Sequence, residues 1–459
     1  MLDFSFEPYK QEMLETLKDF IKIESVKSAP QPNMPYGKGL FDALMYVQST
    51  SERMDLECVN LFGHMAYVDY GYGNEMLGIL AHIDVVPRGD GWTMPAFEGI
   101  EKDGRIYGRG AIDNKGPAIA ALYALKALSD NCIQLSKKVR LIFGTDEETS
   151  WKDMDFYKQH EPEPDIAFSP DGEYPVINAE KGLAHIALTV SDENERTGIY
   201  VKSIDAGTRP NVVPNKAECV LHAPISIISR SIKAYKCPVG ATFECEETDS
   251  GFVRITVSGK SAHGSHPERG INAAASLVQY LATLSLGSGP IEKAVYTLAQ
   301  KIGLHQHGEG VGLDISDEIS GRLTHSLGIL SVKDGAFSAS LDIRYPISFD
   351  LSLIDEKIRE HFVDFGIEYV HTLGSHYIPE DSELIVKLKE AYEEVTGEEA
   401  YCKSIGGATY ARAFKNAVTF GPVFPGKPSV EHGPDEYIEI DTLMKNAEII
   451  ANAIVKLCE

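Results

Sequence analysis

Side chains that can bind metal ions follow several apolar segments of the sequence. The apolar part of GILAHIDVVP ends in His82-Ile83-Asp84, and that of VRLIFGTDEE ends in the neighbouring pair Glu147-Glu148. Asp171 follows the segment DIAFSP, and Asp113 directly precedes an apolar helical segment. A cluster of imidazole and carboxylate groups suits one or two divalent cations. Two adjacent carboxylates can divide the work, so that one binds metal and the other remains available as a base.

The elements around these residues predict that they lie close together. Strand-like segments cover residues 65–71, 75–82, 137–148 and 164–172, and helical segments cover residues 7–26 and 115–130. Strands that alternate with helices indicate an α/β layer built on a mostly parallel sheet. Because ligands of such sheets bind beyond the carboxyl ends of the strands, the polar side chains should converge on one crevice.

The pattern of the sequence changes near residue 182. Several segments between residues 182 and 346 alternate apolar and polar residues, as antiparallel strands with one exposed face do, and helical segments at 272–286 and 351–366 lie among them. The α/β pattern returns with a helix at 381–397 and a closing helix at 437–459. We therefore predict a catalytic domain formed by residues 1–181 and 379–459. It is interrupted by an α+β domain of residues 182–378, in which strand and helix order repeats in two similar sub-halves.

Composition narrows the class of protein. The 459 residues carry a formal net charge of −25, which argues against nucleic acid and anionic membranes as partners. Seven cysteines are scattered without a CxxC pair, which is typical of reduced thiols and not of a disulfide framework. The segment MLDFSFEPYK lacks the pattern of a secretory signal, and no apolar run is long enough to span a membrane. The expected location is the cytoplasm.

Longer motifs add a resemblance to a known family. The segments AHIDVVPRGDGW, GRGAIDNKGP, GTDEET, SPDGEYP, GKSAHGSHPERGINAA and VEHGPDEY follow one another as in the dinuclear-zinc exopeptidases. That family contains carboxypeptidase G, aminoacylase and carnosinase, and the likeness is greatest to its bacterial dipeptidase V (Xaa-His dipeptidase-like) branch. The resemblance covers almost the whole chain and also includes GRLTHSLGIL and GGATYARAFKNAVTFGPVFPG. It implies a phosphorylase/hydrolase-like α/β catalytic domain that is interrupted by a lid domain.

The resemblance also implies a role for each metal-binding residue. One metal would be held by His82, Asp113 and Asp171, and a second by Asp113, Glu148 and His432, with Asp113 bridging the two. Asp84 would not bind metal itself but would contact His82 and fix the tautomer of its ring. A cis peptide bond would join Asp113 to Asn114. Two cations would lower the pKa of a shared water, from which Glu147 would take a proton as the general base.

Substrate contacts are implied in the same way. His263, in SAHGSHP, would donate a hydrogen bond to the oxyanion, whereas His266 departs from the family pattern and is interpreted as accessory or structural. Arg344 would pair with the substrate's terminal carboxylate. The remaining contacts would come from Asn211 and from the stretch that contains Gly406, Gly407 and Thr409.

Three functions remain open at the level of the sequence. The first is a dipeptidase for unblocked dipeptides. The long insert favours it, because the insert could supply His263 within one chain and close over a short substrate. That interpretation predicts a monomer. The second is a deacylase of N-acyl amino acids, and the third is a metal-binding relative without turnover. Two histidines and three carboxylates, with no thiolate, suit zinc, and manganese or cobalt would also fit.

Overall fold

The computed structural model describes residues 2–192 and 196–459, which form two compact units. The first unit comprises Met1–Asn178, Ile378–Lys403 and Ala408–Glu459, and the second comprises Ala179–Tyr377 and Ser404–Gly407. The sequence placed the corresponding boundaries after residues 181 and 378. The larger difference is the short stretch 404–407, which the sequence assigned to the catalytic domain and which belongs to the second unit.

Ten α-helices lie in the described residues: α1 Lys10–Ile21, α2 Lys38–Arg53, α3 Lys115–Asp130, α4 Lys152–His160, α5 Ile225–Ala234, α6 Ala273–Leu281, α7 Pro290–Lys301, α8 Leu351–His361, α9 Glu383–Thr396 and α10 Ile440–Leu457. Local chemistry fixes several of their ends. The first turns of α6, α8 and α9 are capped by the side chains of Asn272, Asp350 and Ser382, each of which accepts a hydrogen bond from a backbone N–H group. Gly397, with a φ of 71°, ends α9 in the left-handed conformation.

The strands are numbered along the chain. The first group is β1 Cys58–Leu61, β2 Met65–Tyr70, β3 Met76–His82, β4 Ile100–Lys102, β5 Arg105–Tyr107, β6 Lys138–Gly144, β7 Ile166–Ser169, β8 Gly172–Glu173 and β9 Val176–Glu180. The second group is β10 Gly182–Ser191, β11 Tyr200–Ala206, β12 Lys216–His222, β13 Thr242–Glu247, β14 Val253–Ser258, β15 Ser316–Asp317, β16 Gly321–Arg322, β17 Thr324–Lys333, β18 Ala336–Tyr345, β19 Gly366–Leu373 and β20 His376–Tyr377. The last group is β21 Cys402–Ile405, β22 Ala417–Thr419, β23 Pro422–Val423 and β24 Tyr437–Glu439.

The main sheet of the first unit runs in the order β1-β2-β6-β3-β7-β22-β9. Its centre is parallel, because β6, β3, β7 and β22 pair in parallel, whereas the flanking pairs of β2 with β6 and β22 with β9 are antiparallel. The predicted α/β class is confirmed, and the sheet is mixed with a parallel core.

Both faces of this sheet are buried. Ile79 and Leu141 belong to one core cluster with the apolar sides of α1, α3, α9 and α10. Leu80 and Ile142, which point to the opposite face, belong to another cluster with residues of α4. Burial on both faces explains why β3 is apolar along its whole length up to His82.

The second unit contains an eight-stranded sheet in the order β13-β14-β12-β11-β17-β18-β10-β19, and every pairing in it is antiparallel. From the centre outward, one half reads β11, β12, β14, β13 and the other reads β17, β18, β10, β19. Helix α5 follows β12 in the first half, as α8 follows β18 in the second. The third strand from the centre is β14 in the first half and β10 in the second.

The stretch 404–407 is held within the second unit by hydrogen bonds from residues that are distant in sequence. The backbone N–H of Lys181 donates to the carbonyl of Ile405 at 3.0 Å. The Nη1 of Arg344 donates to the carbonyl of Gly406 at 2.7 Å. These contacts are long-range in sequence, and this is why the local pattern gave no sign of them.

Some elements differ from the sequence prediction. The segment 416–426, for which a single strand is the simplest expectation from its apolar residues, forms two short strands, β22 and β23, with a cis peptide bond between Gly421 and Pro422. The closing segment begins as strand β24 before α10 starts. Helices α2, α4, α5 and α7 were not predicted, although the buried Leu40, Ala43, Leu44 and Val47 of α2 form a helical stripe. None of the helices in the described part of the chain combines the length and apolar composition that a membrane-spanning segment needs.

Candidate metal centre and substrate-binding residues

Three parallel strands end at one edge of the first unit's sheet. In the pairing of β3 with β6, the last residue of β3, His82, lies opposite the last residue of β6, Gly144. Glu147 follows Gly144 by three residues, and Asp171 follows the end of β7 by two. Asp113 lies just before the first turn of α3. The carboxyl ends of parallel strands therefore deliver the predicted side chains to one place.

Among the residues that the structure describes, two groups of three side chains could each hold a metal ion, and they share one member. In the first group, His82, Asp113 and Asp171 each offer a ligand atom within 4.8 Å of the others, and Asp113, Glu148 and His432 do so in the second. The two oxygens of Asp113 face different imidazoles: Oδ1 lies 2.9 Å from the Nε2 of His82, and Oδ2 lies 2.9 Å from the Nε2 of His432. One carboxylate is thus placed between the two groups.

His82 is oriented by the residue two positions further on. Its Nδ1 lies 3.0 Å from the backbone carbonyl of Asp84 and 3.3 Å from the Oδ1 of the same residue. Both atoms are acceptors, so Nδ1 carries a proton, and in the neutral ring Nε2 keeps the lone pair that a metal ion would need. The spacing His-x-Asp at the end of β3 thereby fixes the tautomer that metal binding requires.

Asp84 also positions the pair of glutamates, a role that the sequence did not indicate. Its carboxylate accepts the backbone N–H of Glu147 at 3.2 Å and that of Glu148 at 3.1 Å. The indole Nε1 of Trp151 donates to the carbonyl of Glu147 at 2.8 Å. The loop after β6 is therefore fastened to the loop after β3.

Three further buried residues, for which no such role was predicted from the sequence, hold the candidate ligands. The Nδ2 of Asn114 donates to the Oδ1 of Asp171 at 3.0 Å, and the peptide bond before Asn114 is cis, as the resemblance implied. The Oε1 of Glu436 accepts the backbone N–H of Asp113 at 3.2 Å. Arg109 donates to the Oε2 of Glu436 at 2.6 Å and to the carbonyl of His432 at 3.3 Å. All three lie inside quoted motifs, so their positions beside the predicted ligands were the available signal.

The electrostatics of the cluster show an excess of negative charge. Burial, together with the charges of Asp171, Glu148 and Asp113, raises the pKa of Glu147 well above its ordinary value, although His82 opposes this. Burial alone would lower the pKa of His82, but the neighbouring carboxylates raise it well above the usual range. Carboxylates that crowd in this way need cations to remain ionised together.

The donor set fits divalent ions. For a tetrahedral zinc ion with bonds of about 2.0–2.1 Å, ligand atoms lie about 3.4 Å apart. The Nε2 of His82 is 3.6 Å from the Oδ1 of Asp171, and the Nε2 of His432 is 3.1 Å from the Oε2 of Glu148. With nitrogen and oxygen donors at these separations, each of the two groups could hold a divalent ion.

Most of the predicted substrate contacts belong to the second unit and cluster there. The backbone N–H of Gly264 donates to the carbonyl of Asn211 at 2.7 Å, and Val212 pairs with His263 in an antiparallel bridge. The Nδ1 of His263 lies 2.6 Å from the hydroxyl of Ser265. Asn211 and His263 are thus neighbours, as the prediction of a common site requires.

Arg344 is buried, and much of its hydrogen-bonding capacity is already in use. Its Nε and Nη2 donate to the two carboxylate oxygens of Asp342 at 2.6 and 2.9 Å, and its Nη1 donates to Gly406. Burial would raise the pKa of Asp342, but Arg344 and His185 outweigh it and lower the pKa to about 2. One edge of the guanidinium is therefore occupied, and two of its five N–H groups remain for a substrate carboxylate. The role of Arg344 stays a prediction, restricted to that remaining edge.

Two other residues are tied to local structure. Thr409 lies in the first unit, where its hydroxyl is 2.7 Å from that of Thr419 and also accepts the backbone N–H of Ala411. His266 is exposed and lies 3.3 Å from Glu268. The stretch from Gly406 to Thr409, predicted to act together, is therefore divided between the two units.

Comparisons with known proteins agree with the motifs. Residues 78–456 match the profile of peptidase family M20/M25/M40. The Bacillus subtilis protein named "Putative dipeptidase YtjP" is 35% identical over 458 residues, which cover 98% of each chain. The Beta-Ala-Xaa dipeptidase of Lactobacillus delbrueckii subsp. lactis is 31% identical over 460 residues, which cover 98% of this chain and 97% of the relative.

Solved structures share the fold. Human carnosine dipeptidase 1 superposes with a TM-score of 0.59 at 16% identity, covering 99% of this chain and 97% of its own. The aminoacylhistidine dipeptidase of Vibrio alginolyticus gives a TM-score of 0.57 at 14% identity, with 96% of each chain covered. At these identities the likeness concerns the fold alone.

Proposed function

Because the chain belongs to the peptidase family M20/M25/M40, we propose that it is a metal-dependent dipeptidase that hydrolyses unblocked dipeptides. The observation that carries this proposal is the position of Asp113, whose two oxygens face His82 and His432, with Glu147 in the same cluster. The names of two relatives at 35% and 31% identity, both dipeptidases by name, support the substrate class.

Two divalent ions are part of this proposal. His82, Asp113 and Asp171 would hold one ion, and Asp113, Glu148 and His432 would hold the other. Zinc is proposed first because the donors are nitrogen and oxygen at tetrahedral separations, and manganese or cobalt are alternatives. When bound, the ions supply Lewis acidity and a water that ionises near neutral pH.

The chain's own residues would move the protons. Glu147 would accept a proton from the attacking water and deliver it to the leaving amine of the substrate. Asp84 and Trp151 hydrogen-bond to the backbone of Glu147. These bonds fix the position of its Cα atom and thereby limit where its carboxylate can lie. His263 would donate a hydrogen bond to the oxygen of the scissile carbonyl as negative charge develops there.

Recognition of both substrate ends would set the length that is cleaved. The free edge of Arg344 would bind the terminal carboxylate, and Asn211, Gly406, Gly407 and Thr409 would add contacts to the substrate. The carboxylates around the ions would favour a free α-ammonium group. A tripeptide would place its terminal carboxylate beyond Arg344, and loss of a buried charge-assisted pair costs on the order of 2–5 kcal/mol.

The test compares substrates that differ only at their ends. The zinc-loaded protein would be assayed with Ala-Ala, N-acetyl-Ala-Ala, Ala-Ala amide and Ala-Ala-Ala at equal concentration, with chromatographic analysis of the products. N-acetyl-alanine would be assayed beside them. The proposal requires the free dipeptide to be cleaved at least about 30-fold faster than the others, as a difference of 2 kcal/mol implies.

Two other functions are outcomes of the same assay. Faster release of acetate from N-acetyl-alanine would identify a deacylase of N-acyl amino acids. Metal binding without hydrolysis of any of these compounds would identify a non-catalytic relative.

We also propose that the enzyme acts as a monomer in the cytoplasm. All seven cysteines are free thiols, which suits a reducing compartment. The length of the second unit favours a monomer, because an insert of this size could supply His263 within one chain. Light scattering of the active protein at assay concentration tests the oligomeric state, and an obligate dimer would contradict it.

A further inference from the structure

We infer that Ser265 is a positioning residue that fixes His263 in the neutral tautomer with its proton on Nε2. The inference concerns the chemistry of the second unit alone. Its importance for catalysis rests on the proposed function, in which His263 is the donor to the oxyanion.

The backbone of Ser265 gives the first observation. Its N–H donates to the Nδ1 of His263 at 3.2 Å. A backbone N–H can only donate, so the ring nitrogen that faces it must offer a lone pair. The side chain of residue i thus accepts from the backbone of residue i+2, as aspartate and asparagine side chains do in Asx-turns.

The side chain of Ser265 gives the second observation. Its hydroxyl oxygen lies 2.6 Å from the same Nδ1. With the amide already pointing at this nitrogen, a proton on Nδ1 would set two N–H groups against each other. The arrangement without conflict has the hydroxyl donating to Nδ1, which leaves the proton of the neutral ring on Nε2.

The surroundings hold Ser265 in this position. The residue is only 7% exposed, and the hydroxyl of Thr324 donates to its carbonyl at 3.4 Å. A Cβ atom placed on Gly406 would lie 2.8 Å from the Cβ of Ser265, so these residues are in close contact. The carbonyl of Gly406 in turn accepts a hydrogen bond from Arg344. The proposed oxyanion donor and the proposed carboxylate anchor are therefore connected through Ser265 and Gly406.

The tautomer decides what Nε2 can do. With its proton on Nε2, a neutral histidine donates a hydrogen bond, which is what a developing oxyanion requires. With the proton on Nδ1, the lone pair of Nε2 would face that negative charge instead. The loss of one such donor typically lowers kcat by about 10²–10³-fold.

The tautomer is directly measurable by nuclear magnetic resonance. The full-length, zinc-loaded protein would be labelled with 15N in its histidines, and long-range 1H–15N spectra would show which ring nitrogen carries the proton. The signal of His263 is assigned as the one missing in His263→Gln. Ser265→Asp places an acceptor beside Nδ1, and Ser261→Ala is the matched control, because the hydroxyl of Ser261 in the same loop bonds to the carbonyl of Val213.

We expect His263 to be protonated on Nε2 in the wild type and in Ser261→Ala, and on Nδ1 in Ser265→Asp. An unchanged tautomer in a folded Ser265→Asp protein would mean that the backbone N–H alone fixes the ring, and it would overturn the role inferred for the hydroxyl. A wild-type ring protonated on Nδ1 would overturn it without any variant. Neither result depends on whether dipeptides are hydrolysed, so a failure of the proposed function is seen separately.

Kinetics give a second readout for the hydroxyl. Ser265→Ala keeps the backbone donor and loses only the hydroxyl, so kcat for Ala-Ala should fall about 3- to 10-fold with KM nearly unchanged. Ser265→Thr retains a hydroxyl and should recover most of the loss. A rise in KM without a fall in kcat would contradict a role exerted through His263.

Discussion

Replacing Arg109 by methionine should destabilise the first unit strongly. The Arg109 and Glu436 side chains are 1% and 0% exposed, and their charged atoms are 2.6 Å apart. Methionine fills part of the same volume but leaves Glu436 buried without its counter-ion. Breaking a buried pair in this way costs about 3–5 kcal/mol, whereas exposed pairs contribute about 0–1 kcal/mol.

The expected loss is large enough to measure by calorimetry. At about 2–4 °C per kcal/mol for a unit of this size, the melting temperature of metal-free Arg109→Met should fall by about 6–20 °C. The double variant Arg109→Met/Glu436→Gln should recover a substantial part, because it no longer contains a lone buried charge. Arg254→Met, which breaks the exposed pair of Arg254 with Glu246, should change the melting temperature little.

The same variant should also weaken metal binding. Arg109 and Glu436 contact the backbone of Asp113 and His432, and removal of groups that orient metal ligands typically costs about 10- to 100-fold in affinity. Zinc titration with a competing chelator measures this. A stability loss below 1 kcal/mol, or a double variant that is no more stable than Arg109→Met, would refute the reasoning.

Three further predictions concern single carboxylates. Glu147→Gln should keep both metal ions by elemental analysis while turnover falls about 10²–10⁴-fold, and loss of metal would instead make Glu147 a ligand. Asp113→Asn should lower the affinity for both ions, whereas Asp171→Asn should weaken mainly one; two tightly bound ions in Asp113→Asn would exclude the shared role. Burial raises the pKa of Asp153 to about 7, against hydrogen bonds from its neighbours. Since the folded state then binds the proton more tightly than the unfolded chain, whose pKa is about 3.9, the contribution of Asp153 to stability should be lost as pH rises from about 4 to 7. Denaturant titrations of the wild type should show this trend and Asp153→Asn should not.

The first unit was largely predictable because its signals are local. The apolar run of β3 ends at His82, and the predicted helix 115–130 matches α3 at both ends. A parallel sheet then brings strand ends together by its geometry alone, so the convergence of His82, Asp171 and Glu147 followed from topology. The roles of individual side chains came from the resemblance to a family.

Residues that act through long-range contacts were out of reach. Asp342 lies two positions before Arg344 on the same face of β18, yet nothing in the pattern showed that it would occupy one edge of the guanidinium. Ser265 was one polar loop residue among several. The assignment of residues 404–407 to the second unit depends on hydrogen bonds from Lys181 and Arg344, which lie far away in sequence.

The position of β10 in the second unit has a consequence for the order of folding. This strand ends at Ser191, but its two partners in the sheet, β18 and β19, begin at Ala336 and Gly366. At a synthesis rate of about 5–20 residues per second, β18 follows β10 by about 7–30 seconds. During that time both edges of β10 lack their native partners, although β11 to β14 can already pair with one another. The half of the sheet that is translated first can thus form early, whereas the other half must wait for strands made near the end of the unit, and loop closure over this distance slows its formation.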